Sequence, residues 1–266
     1  MNHIQRTFLS LRRRGIRAFI PFLTVGYPDI DTTEALVHQL DMVGADVLEL
    51  GLPFSDPLAD GPVIASASRA ALRQGVTLDD ALSLVERLRR RTRLPLVFMG
   101  YYNVMYSYGE ERFVRRAVQA GLDGLIVADL PPEEAHTLVR LARDAHLAMI
   151  FLVTPVTSVA RIRTIARQCS GFIYGVSYTG TTGRDMEPGD QVRDLAQRVR
   201  SATRRPLAVG FGISSPEAAR QAAAWSDGVI VGSALLRAIE QAPGSAQAVR
   251  RVEAVATELC RAVKSV

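Results

Sequence analysis

Short apolar runs rich in β-branched and aromatic residues recur along the chain, separated by longer stretches of helical periodicity. Eight such runs stand near Ala18 to Val25, Val47 to Leu50, Leu96 to Met99, Gly124 to Ala128, Ala148 to Val153, Gly171 to Val176, Leu207 to Val209 and Gly228 to Val231. Runs that are apolar throughout suit strands buried on both faces, and their alternation with helices predicts a parallel sheet. The spacers agree: Leu82, Val85 and Leu88 mark one helical face, and Phe113, Val114, Ala117 and Val118 another, with arginines and glutamates opposite. Pro131-Pro132 and Ser214-Ser215-Pro216 read as helix starts, with proline near the first turn and serine as a cap. Eight strand-helix units fit a closed (β/α)8 barrel, the TIM-barrel architecture of the α/β class, better than an open doubly wound sheet.

Three segments exceed the minimal pattern. Residues 1–14 predict a helix before the first strand, and residues 51–73 predict a long loop with a helix behind it. The glycine- and threonine-rich stretch 177–189 predicts a mobile lid after the sixth strand. Extended loops after strands 2 and 6 would both hang over the mouth where barrel enzymes carry their chemistry. No linker or low-complexity stretch divides the chain, so residues 1–266 read as a single domain, in keeping with 266 residues of which 48% are hydrophobic.

Composition narrows the chemistry. The sequence has no apolar run of about 18 residues and no signal-peptide layout, which predicts a cytoplasmic protein with no membrane association. The net charge of +5 rests on arginines scattered over several helices without interleaved aromatics, a solvated basic surface and not a nucleic-acid site. The runs Arg12 to Arg14 and Arg89 to Arg91 read as exposed helix ends. Cys169 and Cys260 stand far apart and read as packing residues. The only lysine is Lys264, so the body of the chain offers no amine for a Schiff base. His3, His38, His136 and His146 form no cluster with metal-ligand spacing, so no metal is expected. Carboxylates are left as the reactive groups.

The second strand-like run reads Ala45-Asp46-Val47-Leu48-Glu49-Leu50-Gly51 and places a carboxylate among apolar residues at a strand's C-terminal end. Alternation points Val47 and Glu49 to one side and Leu48 and Leu50 to the other. A carboxyl facing an apolar barrel mouth is desolvated, which raises its pKa and lets it carry a proton near neutrality. The competing reading is a structural carboxylate paired with an arginine.

The loop that follows, Pro53-Phe54-Ser55-Asp56-Pro57-Leu58-Ala59-Asp60-Gly61-Pro62, resembles the signature loop of the tryptophan synthase alpha family. The similarity extends to Pro21-Phe22-Leu23-Thr24, Val127-Ala128-Asp129-Leu130-Pro131 and Gly210-Phe211-Gly212-Ile213-Ser214, in the family's order. The resemblance implies a lyase that splits indole-3-glycerol phosphate, with Glu49 as acid and base at indole C3 and Asp60 on the indole N–H. It also implies that Phe22, Tyr174 and Thr182 border the substrate.

Glycines after strands seven and eight, the latter opening a short helix, are where barrels often bind phosphate. Gly212, Gly232 and Ser233 are expected at such a site, and the resemblance adds Gly183 from the lid. The lid departs from the family's Ser-Arg-x-Gly-Val-Thr-Gly: here Ser177-Tyr178-Thr179-Gly180-Thr181-Thr182-Gly183 carries tyrosine for arginine and threonine for valine. The resemblance further implies an αββα complex with a beta subunit that holds pyridoxal phosphate, none being bound by this chain, with Pro53, Asp56 and Asp129 toward that partner. A stand-alone lyase, or an allosteric subunit with little turnover of its own, remain alternatives. A sugar-phosphate isomerase would share the glycines but does not account for Glu49 and Asp60.

Overall fold

The computed structural model describes residues 1–176, 188–210 and 212–266. Eight parallel strands close in chain order into a barrel: β1 (Ala18–Thr24), β2 (Leu48–Gly51), β3 (Leu96–Gly100), β4 (Gly124–Val127), β5 (Ala148–Val153), β6 (Ile173–Val176), β7 (Leu207–Gly210) and β8 (Gly228–Val231). The register runs without a break from Phe22 opposite Glu49 through to the β1–β8 seam, where Ala18 pairs with Gly228. Around them lie α1 (His3–Arg13), α2 (Ile30–Val43), α3 (Pro62–Arg73), α4 (Leu78–Arg89), α5 (Tyr102–Tyr108), α6 (Glu110–Ala120), α7 (His136–Asp144), α8 (Val159–Gln168), α9 (Pro188–Ala202), α10 (Pro216–Trp225), α11 (Ser233–Glu240) and α12 (Ser245–Lys264). The TIM barrel with an extra N-terminal helix is thus the architecture. The extended loop after β2 is present, while the lid expected at 177–189 falls mostly on 177–187, outside the described residues.

Strand alternation separates the core into two shells. Ile20, Val47, Val97, Ile126, Ile150, Ala208 and Ile230 fill the barrel's interior. Leu23, Leu48, Leu50, Phe98 and Leu125 face outward against the helices. The interior is stoppered at the strands' N-terminal ends by α1, which buries Ile4, Phe8 and Leu11 there, the Phe8 ring 5.4 Å from that of Phe172. Asn2 and Gln5 cap α1 reciprocally, satisfying backbone N–H groups that a helix start leaves open.

The same end shows a device repeated in alternate strands. The Asp46 carboxylate accepts from Phe19 N–H (2.9 Å), Asp123 from Leu96 N–H (2.9 Å), Ser170 Oγ from Met149 N–H (2.8 Å) and Asp227 from Leu207 N–H (2.9 Å). Each acceptor stands just before an even strand and serves the odd strand preceding it. Ladder hydrogen bonds run out at strand ends, and a short polar side chain supplies the missing acceptor.

Three local expectations change, and one helix appears that the sequence pattern does not announce. Val118 does not join the buried face of α6; it is 39% exposed, and Ala120 is buried instead, because the face turned to the barrel is the Phe113–Val114–Ala117–Ala120 stripe. Pro131-Pro132 opens a turn, and α7 starts only at His136. Arg89 is no exposed helix end: it pairs with Asp123 and donates to the Gly121 and Leu94 carbonyls (both 2.6 Å), tying α4 to the start of β4. Helix α5, too short to show a period, is started by a distant group, the Asp129 carboxylate, which accepts from Tyr102 N–H (2.7 Å). Among the described residues no helix is long and apolar enough to cross a membrane.

Candidate active site

Glu49 sits in the middle of a four-residue strand whose positions are all buried, and its own exposure is 1%. Its neighbour on the same strand face, Val47, lies in the barrel interior, while Leu48 and Leu50 face the helices, so the side chain turns inward at the C-terminal half of the barrel. Neither carboxyl oxygen has a hydrogen-bond partner. Among the described residues no arginine pairs with it, against the competing reading from sequence. Burial raises the carboxyl to about 8, the Asp60 charge adding to the effect. Such a group holds a proton at neutral pH, and no described residue accepts it.

Asp60 is delivered by the loop after β2, and that loop is pinned at both flanks. Ser68 of α3 donates to the Phe54 carbonyl (3.2 Å) and accepts from Phe54 N–H (2.8 Å), while the Phe54 ring stacks on Tyr101 at 4.9 Å. Ala59 N–H donates to the Tyr101 hydroxyl (2.9 Å). Burial raises Asp60 to about 6, and the Tyr101 hydroxyl, hydrogen-bonded to the carboxylate, pulls it back. The same pair of carboxylates reaches Tyr174: burial first, then the charges of Glu49 and Asp60, push its phenol well above the ordinary tyrosine range. Glu49, Asp60 and Tyr174 therefore share one low-dielectric space, although they come from three separate chain segments.

Phe22 closes the wall beside them. It pairs with Glu49 in register and lines a small cavity with Gly51, Asp60, Met99 and Tyr101. Glycines flank the ring on both sides: a Cβ on Gly51 would stand 2.5 Å from Phe22 Cζ and force the ring to shift, and one on Gly232 would make a tight contact of 3.2 Å with Phe22 Cδ1. Gly210 similarly leaves room for the Tyr174 hydroxyl, which would lie 3.1 Å from a Cβ there. Tyr101 and Thr24 are among the lining residues that the sequence reading did not single out. Tyr101 follows β3, where barrel strands deliver functional groups, so its position was a usable signal. Thr24, 2% exposed with an unpartnered Oγ1, lines the same cavity at the end of β1.

Of the remaining residues singled out from sequence, Gly212 has φ +62° in the turn after β7, a left-handed backbone natural to glycine. Gly232 and Ser233 form the N-terminus of α11 directly after β8, with Gly232 against Phe22. These groups share the C-terminal rim with Glu49 and Asp60. Thr182 and Gly183 lie outside the described residues. Pro53 and Asp56 stand on the loop after β2, Asp56 exposed and accepting from the Ser55 hydroxyl (2.6 Å), close to Leu58, which is 96% exposed. Asp129 is committed to the start of α5.

Comparison with known proteins agrees with this geometry. The sequence matches the family described as Tryptophan synthase alpha chain over residues 8–264. It is 49% identical over 245 residues to the tryptophan synthase alpha chain of Citrifermentans bemidjiense, covering 92% of each chain. Its structure is similar to that of tryptophan synthase subunit alpha from Legionella pneumophila, with TM-score 0.93, 38% identity and all of both chains covered. A tryptophan synthase chain from M. tuberculosis is also similar, with TM-score 0.89, 35% identity and 99% of each chain covered. The chain belongs to the tryptophan synthase alpha chain family.

Proposed function

We propose that the protein cleaves indole-3-glycerol phosphate to indole and glyceraldehyde 3-phosphate, as the alpha subunit of tryptophan synthase in tryptophan biosynthesis. The observation that carries this reading is Glu49, a buried carboxyl with both oxygens unpartnered that is held protonated near neutrality beside a second carboxylate.

Retro-aldol cleavage of a 3-substituted indole needs C3 to become tetrahedral, so that the ring can accept the electron pair of the breaking bond. Glu49 gives its proton to C3, creating an indoleninium-like cation. Asp60, ionised, faces the ring N–H and favours that cation over the neutral ground state, a difference that lowers the barrier. The Glu49 carboxylate then takes the proton of the glycerol-side hydroxyl as the carbon–carbon bond breaks, and returns to its starting state. Phe22 and Tyr174 form the apolar walls for the indole ring, and Thr182 would join them. The phosphate is held by backbone amides of Gly212, Gly232 and Ser233, with Gly183, at the positive end of α11.

The family supplies the partner. The working form is an αββα heterotetramer in the cytoplasm, whose beta subunit holds pyridoxal phosphate and consumes the indole, with Pro53, Asp56 and Asp129 on the side of the alpha chain toward it. Residues 1–266 act as one domain. The decisive experiment measures indole release by the purified chain, with and without beta subunit, for the wild type and Glu49→Gln. Turnover is expected to fall by at least about two orders of magnitude in the variant, with binding of a phosphate-bearing substrate analogue retained. Unimpaired turnover would remove Glu49 from the mechanism.

A further inference from the structure

Two open spaces lie at the end of the barrel away from Glu49, around its stopper helix. Two adjoining clefts, about 660 Å³ and about 520 Å³, flank α1 and share Phe8, Arg12, Arg204, Arg205 and Pro206 in their walls. Both are of the size that encloses small molecules. Arg163 and Arg167 of α8 line the first, and Arg17 and Arg200 line the second.

The charge balance of this region is one-sided. The two walls together carry seven arginines and a single carboxylate, Asp227. Asp227 is already engaged, accepting from Leu207 N–H (2.9 Å) at the start of β7. Among the described residues, no ion pair involves any of the seven arginines. Elsewhere on the surface arginines do pair, as Arg87 with Glu34 and Arg116 with Glu86. Arg205 is held in place by the Ala166 carbonyl (2.9 Å), and Arg17 Nε is buried with no acceptor at all. Seven guanidiniums exceed the chain's entire net charge of +5, and holding them together without counter-charge is unfavourable. In sequence they are dispersed over five segments; closure of the barrel brings them around one stopper helix.

We propose that this region is a binding site for a small organic polyphosphate of the nucleoside di- or triphosphate class. Guanidinium groups recognise phosphate oxygens through paired N–H donors and stack on flat rings, while Phe8 and the partly exposed Leu9 provide an apolar floor for the rest of the molecule. The modest size of the two clefts favours a small molecule over a nucleic-acid strand, and the active-site glycines lie at the opposite end of the strands.

The test is isothermal titration of the purified full chain with adenosine triphosphate in EDTA at low salt, beside inorganic phosphate and a short single-stranded oligonucleotide. Saturable adenosine triphosphate binding, tighter than that of phosphate and weakening steeply with added salt, is expected. The double variant R163Q/R204Q should weaken it at least about tenfold while keeping the wild-type melting temperature and indole release. Three results overturn the proposal: no saturable binding, undiminished affinity in the double variant, or binding of the oligonucleotide without binding of the nucleotide.

Discussion

The ring of Phe22 occupies the space that a side chain on Gly51 would need, its Cζ 2.5 Å from where that Cβ would stand. Phe22 pairs with Glu49, and Gly51 follows Glu49 two residues later on the same strand. The ring, the acid and the glycine therefore act as one packed unit at the mouth. Gly51→Ala is expected to cost about 1–3 kcal/mol of stability, the usual range for overpacking, and to lower kcat/KM by displacing the ring. Adding Phe22→Leu should recover part of the stability and none of the activity. Thermal melts and steady-state kinetics on the three proteins check this, and a neutral Gly51→Ala would show that the ring moves freely.

Glu49 makes stability depend on pH in a stated direction. Its carboxyl is raised to about 8 in the folded protein against 4.5 ordinarily, so between those values the folded state binds the extra proton. Stability conferred by the protonated form is therefore lost as pH rises through that window, with a limiting slope of about 1.4 kcal/mol per pH unit. Glu49→Gln cannot ionise. Melting temperatures from pH 5 to 9 should fall less for the variant than for the wild type, and parallel curves would mean that the acid is not desolvated.

Tyr101 tunes the second acid. Its hydroxyl hydrogen-bonds Asp60 and lowers a carboxyl that burial has lifted to about 6. With Asp60 needed as the anion and Glu49 as the acid, kcat/KM should be bell-shaped, with limbs near pH 6 and pH 8 that belong to the coupled pair. Tyr101→Phe is expected to move the acid limb upward and leave the basic limb nearly in place, at a stability cost of about 1 kcal/mol for the lost hydrogen bond to Ala59. A pH–rate profile of the variant decides it, since a merely structural tyrosine would lower the whole curve without shifting either limb.

At the other end of the barrel Asp123 gathers Arg89, His3 (3.0 Å) and Leu96 N–H (2.9 Å) on one carboxylate. Asp123→Ala leaves Arg89 half-buried without its partner, and a loss of about 2–4 kcal/mol is expected. Indole release below the melting temperature should be unaffected. Chemical denaturation and an activity assay separate the two, and a variant as stable as the wild type would make the pair dispensable.

Much of the barrel is legible along the chain because its rules are local. The runs Ala148 to Val153 and Gly228 to Val231 coincide with β5 and β8 residue for residue, and the inward turn of Val47 follows from alternation alone. The Ser215 cap and Pro216 mark the start of α10 in the same way, with Ser215 Oγ accepting from Ala218 N–H (3.2 Å). Reading fails where a residue answers to a distant one. Helix α5 depends on Asp129, and Arg89, placed at a helix end by its position, is claimed by an aspartate 34 residues away.

Glu49 and Asp60 stand out in sequence as a carboxylate at a strand end and another in a proline- and glycine-marked loop. Their chemistry is a different matter. The chain states that an acid is present, but its proton affinity is set by how much water is removed and which charges remain nearby. Those conditions exist only once β1, β2, β3 and β6 have brought Phe22, Asp60, Tyr101 and Tyr174 around it. The seven arginines at the opposite end obey the same rule. Hydrophobic periodicity acts over a few residues and so can be read from sequence, whereas electrostatic energy depends on separation in space and on the surrounding dielectric, and both are decided when the barrel closes.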